Sequence, residues 1–144
     1  MKIAIFSAYS NFETINTIKE IIAFSEKLNH EIIIIESLKK DLEGNKQNYK
    51  YFKKNQISNS NIDFLFSVGG DGTLLRSITI IKKTEIPVLG INTGHLGFLT
   101  SLQKESLKKG LKLFFDKKYT LVNRSLLNVK TNNKIESLNE FSFA

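Results

Sequence analysis

The chain has 144 residues, 41% apolar and 24% charged, with one proline and eight glycines, a balance that supports a buried core and excludes disordered and collagen-like classes. It lacks cysteine and carries only His30 and His95, which excludes a disulfide framework, a thiolate nucleophile and a thiolate zinc site. The net charge of +7 comes from lysine, 19 of the 21 cations, in scattered pairs such as Lys39-Lys40 and Lys108-Lys109 that read as solvated faces. No nucleic-acid partner is expected.

The apolar runs, such as Ile32 to Ile35, are too short to cross a bilayer, and the N-terminus lacks the basic-then-apolar layout of a secretory signal. The expectation is a soluble, cytoplasmic protein with no membrane partner. Lys2 to Ser7 predicts a first strand. Ser10 and Glu13 stand at capping-box spacing, and Ile15, Ile18, Ile21, Ile22, Ser25 and Leu28 then repeat at three and four, predicting a helix that ends near Asn29. Glu31 to Ser37 holds four consecutive isoleucines, as in a strand covered on both faces.

Lys39 to Ser60 is rich in Lys, Asn and Gln and predicts loops around a short helix at Tyr49 to Lys54. Asn61 to Val68 predicts a strand, followed by Gly69-Gly70-Asp71-Gly72 and a helix from Thr73 to Lys82 with Leu74, Leu75, Ile78 and Ile81 on one face. Pro87 to Asn92 predicts another strand, closed by the loop Thr93 to Phe98. Gln103 to Lys117 carries Leu107, Leu111, Phe114 and Phe115 at helical spacing. The alternation to residue 118 predicts an α/β fold, a Rossmann-like parallel sheet domain over 1–118. Leu121 to Thr131 and Ile135 to Phe143, joined by Asn132-Asn133, predict the opening strands of an all-β second domain over 119–144. The expectation is that this second domain is truncated.

Chemistry concentrates in two glycine-bearing loops. Gly69, Gly70, Gly72 and Thr73 lie between a buried strand and a helix, where glycines admit close approach and the helix N-terminus offers N–H groups to a phosphate. The pattern lacks the third glycine of the dinucleotide fingerprint and has no P-loop lysine. Asp71 is the anomaly, because a carboxylate beside phosphates is repelled unless it meets a metal ion or accepts a proton; the bland alternative is a helix cap. Gly90 to Thr100, GINTGHLGFLT, is a second strand running into a loop that should face the first. Phe98 in that loop either stacks on a base or packs in the core, and His95 suits a loop hydrogen bond better than catalysis.

GGDGTLLR at 69–76, NTGHLGFLT at 92–100, Arg124 near a strand start and Leu138-Asn139-Glu140 together resemble the NAD kinases. GGDGT alone is shared with diacylglycerol-type lipid kinases; the NTGHLGF loop and the Asn-Glu pair carry the distinction. The resemblance implies a kinase that phosphorylates the 2′-hydroxyl of the adenosine ribose of NAD with ATP or polyphosphate, using Mg²⁺ with the ATP, in a homo-oligomer. It implies Asp71 as proton acceptor, Gly72 beside the nucleotide, Arg76 as a polar contact near the phosphates, Phe98 against the adenine, and Asn139 with Glu140 as hydrogen-bond partners of the dinucleotide. The competing expectations are a lipid kinase and a non-catalytic nucleotide-binding module.

Overall fold

Hydrophobic periodicity of two kinds, buried β-branched runs and three-four spaced helices, sorts this chain into a layered sheet. The computed structural model describes residues 1–44, 48–57, 60–81, 84–95, 97–125, 129–131 and 134–136. Six strands, β1 (Lys2–Phe6), β2 (Glu31–Ile35), β3 (Lys50–Phe52), β4 (Phe64–Gly69), β5 (Val88–Asn92) and β6 (Leu102–Gln103), form one sheet in the order β3-β2-β1-β4-β5-β6. Every pairing is parallel. The strand order reverses between β1 and β4, and in such sheets the crevice outside the carboxyl ends at that point is where ligands bind.

Helix α1 (Phe12–Lys27) buries Ile15, Ile18, Ile21, Ile22 and Ser25 as the periodicity predicts, while Leu28 beyond it is exposed. Its cap is Asn11 rather than Ser10: the Asn11 side chain accepts from the Thr14 N–H at 2.9 Å. Asn29 closes the helix in the left-handed region, where asparagine is tolerated. A short helix α2 (Lys39–Leu42) follows β2, which ends at Ile35 because the chain turns into a 3₁₀ segment at Glu36–Leu38. Where a helix was expected over Tyr49 to Lys54, Lys50–Phe52 pairs with β2 as a three-residue edge strand. So short a strand has no readable alternation; its partner decides it.

Helix α3 (Asp71–Ile81) begins two residues before the expected Thr73. Its buried face is Thr73, Leu74, Ser77, Ile78 and Ile80, so Leu75 and Ile81 lie at the margin of the stripe. Helix α4 (Leu107–Phe115) is shorter than expected, because Leu102–Gln103 joins the sheet edge and Lys104–Ser106 is 3₁₀. Phe64 and Phe66 of β4 meet Phe114 of α4 edge-on at 4.8 and 5.0 Å. Thr73 of α3 packs on Gly69 from the opposite side. Alternate β4 residues therefore serve the two helical layers, and the whole strand is buried.

Beyond residue 118 the expected strand from Leu121 is irregular through Ser125; Arg124, exposed, lies there rather than at a strand start. Strands β7 (Val129–Thr131) and β8 (Lys134–Glu136) pair antiparallel in a separate two-stranded sheet. The Asn132-Asn133 turn, Asn139 and Glu140 lie outside the described residues.

Candidate active site

Two backbone requirements build the crevice floor. Gly69 adopts φ +151°, and a Cβ there would stand 2.8 Å from the Cβ of buried Thr73, so only glycine lets β4 turn tightly into α3. Gly70 then caps the helix, its carbonyl accepting from the Thr73 and Leu74 N–H groups at 3.0 and 3.1 Å. Because α3 starts directly after the carboxyl end of β4, its positive dipole end lies at the end of the sheet where the crevice is expected, a disposition that favours an anion. Gly70 and Gly72 have open space where a Cβ would be.

The loop after β5 is folded by Asn92, which is buried. Its amide nitrogen donates to the His95 carbonyl at 2.7 Å, and its oxygen accepts from the Gly94 N–H at 2.9 Å. His95 thus takes part through its backbone, with its side chain exposed. The Thr93 N–H reaches the Gly69 carbonyl at 3.3 Å, so the two loops meet as the sequence implied.

They meet most closely at Asp71. Its Oδ2 accepts from the Phe98 N–H at 2.8 Å and its Oδ1 from the Leu99 N–H at 3.1 Å. Both donors come from the other loop, so Asp71 is an inter-loop acceptor at the helix start and not merely a cap. Phe98 itself is 96% exposed, so its ring does not pack in the core formed by the described residues. Arg76 is also exposed, one turn along α3, with its guanidinium 5.3 Å from the Tyr9 ring centre.

The third wall, after β1, was missed by sequence reasoning. A cleft of about 350 Å³ lies between Tyr9, Asn11, Phe12, Thr14 and the loop residues Gly69, Gly70, Thr93 and Gly94. Tyr9 and Phe12 are 56% and 77% exposed, large apolar surfaces at a crevice mouth. The hydroxyls of Thr14 and Thr93 are 3.2 Å apart, and Lys104 pairs with Glu13, tying the start of α1 to the segment after β6. The only available signal was that this segment follows the first strand of an alternating fold. A larger depression, about 700 Å³ and lined by Lys2, Glu31 and Lys50 among others, includes strand N-termini and is remote in the fold from these loops.

The profile of the ATP-NAD kinase N-terminal domain matches residues 4–119. The chain belongs to the NAD kinase family. It is 38% identical to an NAD kinase of Flavobacterium psychrophilum over 147 aligned positions, covering 100% of this chain and 50% of that protein. An NAD kinase of Christiangramia forsetii is 36% identical over 135 positions, 92% of this chain and 46% of that one. The chain spans about half the length of the curated NAD kinases it matches. The crystal structure of yeast NADH kinase complexed with NADH shares the fold at TM-score 0.64 and 20% identity, covering 96% of this chain and 45% of that one. NAD kinase membership separates this GGDGT motif from its occurrence in lipid kinases.

Among the described residues no three His, Cys, Asp or Glu side chains group to hold a metal ion, and no helix is long and apolar enough to cross a membrane.

Proposed function

We propose that this protein transfers the terminal phosphoryl group of ATP, or of polyphosphate, to the 2′-hydroxyl of the adenosine ribose of NAD, forming NADP. The observation that carries the reading is the Asp71 carboxylate, held by the Phe98 and Leu99 N–H groups where the two motif loops meet beside the Gly69 to Gly72 turn. In this reading Asp71 accepts the proton as the 2′-oxygen bonds to phosphorus and the bond to the leaving phosphate oxygen breaks. Phosphoryl transfer rests mainly on positioning and charge neutralisation, so an ordinary carboxylate suffices if it is fixed.

Mg²⁺ enters as part of the donor substrate, on its phosphates, and offsets their repulsion of Asp71. The N-terminus of α3 adds partial positive charge on the same side. Gly72 gives the nucleotide close approach, Arg76 lies within reach of phosphates along the crevice, and the exposed Phe98 ring stacks on the adenine. Asn139 and Glu140, outside the described residues, are proposed to hydrogen-bond the dinucleotide. Residues 1–118 form the nucleotide-binding domain of this proposal, with 119–144 opening a β domain, in a cytoplasmic homo-oligomer.

The test is to incubate the protein with NAD and Mg²⁺, adding ATP in one arm and polyphosphate in another, and to identify the product by its 2′-phosphate signal in phosphorus NMR. Formation of NADP in either arm supports the reading, and its absence from a folded protein in both arms contradicts it.

A further inference from the structure

We propose that Gly97 is a positioning residue for the acceptor carboxylate, which it seats by lacking a side chain; the inference rests on the reading of Asp71 as proton acceptor. Gly97 lies in the NTGHLGF loop directly before Phe98, whose N–H bonds the Asp71 carboxylate. What distinguishes it is space. A Cβ at 97 would lie 2.7 Å from the Asp71 Cγ and 2.8 Å from Oδ2, whereas at Gly70 and Gly72 a Cβ would meet nothing within 4 Å.

The next two residues complete the seat. The Phe98 N–H donates to Oδ2 and the Leu99 N–H to Oδ1, so each carboxylate oxygen is engaged once from the side of the NTGHLGF loop. Rotation about the Cβ–Cγ bond is thereby restricted, since turning the carboxylate breaks one or both of these bonds. A methyl at 97 needs a separation nearer 3.5 Å, so the carboxylate has to withdraw by an amount on the order of 1 Å and give up both N–H groups. The exposed and half-buried surroundings of these bonds let water replace them, so the fold tolerates the withdrawal. Proton acceptance does not, because a misplacement of about 1 Å costs on the order of a hundredfold in rate.

The experiment compares wild-type protein with Gly97→Ala, Asp71→Asn and the double variant in NADP formation. Gly97→Ala is expected to lower kcat per folded molecule roughly a hundredfold while KM for NAD stays within about threefold; the rate is taken per folded molecule, measured by circular dichroism, because loss of folded protein alone also lowers apparent kcat at constant KM. The double variant is expected within about threefold of Asp71→Asn alone, because both changes act on one carboxylate. Near-normal kcat in Gly97→Ala beside a crippled Asp71→Asn overturns the positioning role and leaves the base reading standing, and multiplicative losses overturn the positioning role too. Near-normal turnover of Asp71→Asn removes the base reading, and the inference with it. Should Gly97→Ala fail to fold, Asp71→Ala combined with Gly97→Ala is expected to regain the fold because the clashing group is gone, and continued misfolding overturns the seat.

Discussion

Alanine at Gly69 and at Gly72, three residues apart, should move stability in opposite directions. At Gly69 a side chain must adopt φ +151°, a conformation costing about 1 to 3 kcal/mol outside glycine. It must also displace Thr73, which is 1% exposed and would stand 2.8 Å from the new Cβ; forcing a buried neighbour aside costs about 1 to 3 kcal/mol more. Gly69→Ala is therefore expected to lose roughly 2 to 6 kcal/mol, and at about 3 to 4 °C per kcal/mol for a chain of this size Tm falls by roughly 6 to 24 °C. Gly72, exposed in the first turn of α3 with nothing within 4 Å, gains helix propensity as alanine, up to about 1 kcal/mol. Its Tm should hold or rise slightly, while close approach of the nucleotide is impaired. Calorimetric or circular-dichroism melting of the two variants beside wild type decides the matter. Equal Tm changes, or a Gly69→Ala variant within about 2 °C of wild type, would refute the account of the turn.

Phe98→Ala should leave Tm unchanged, since the ring is 96% exposed, yet weaken nucleotide binding by about 1 to 3 kcal/mol, as read by isothermal titration with NAD; a falling Tm with unchanged affinity contradicts the stacking role. His30 stacks on Phe115 at 4.5 Å with its Nδ1 3.3 Å from the N-terminal ammonium, and burial followed by that charge lowers its pKa below the ordinary 6.5. The unfolded chain then binds the proton more tightly, so stability is lost as pH falls through about 6.5 and levels off below the folded pKa. Melting at about pH 5 and about pH 7.5 should show a larger loss for wild type than for His30→Gln, and equal losses contradict the assignment.

The long elements were legible because their signals are local. Four isoleucines at 32–35 and the repeat from Ile15 to Ser25 dictate burial whatever their neighbours are. The edge strands at Lys50–Phe52 and Leu102–Gln103 were not, since two or three residues carry no period and take extended form only because β2 and β5 offer a partner edge. GGDG and NTGHLGF located two walls of the crevice, as unusual glycine spacing does. The wall at Tyr9 to Thr14 has no motif and follows only from the strand order that sets β1 beside β4. The hydrogen bonds of Phe98 and Leu99 to Asp71 were hidden for another reason: their donors are backbone N–H groups, which every residue type supplies.

The central claim is that Asp71 takes the proton of the 2′-hydroxyl, and steady-state NADP formation by Asp71→Asn, with NAD affinity measured separately, tests it most directly. Asparagine keeps the shape and one oxygen acceptor for the loop but cannot accept the proton. The account predicts kcat lower by roughly 10² to 10⁴ with little change in NAD affinity. Turnover close to wild type from the folded variant would contradict it.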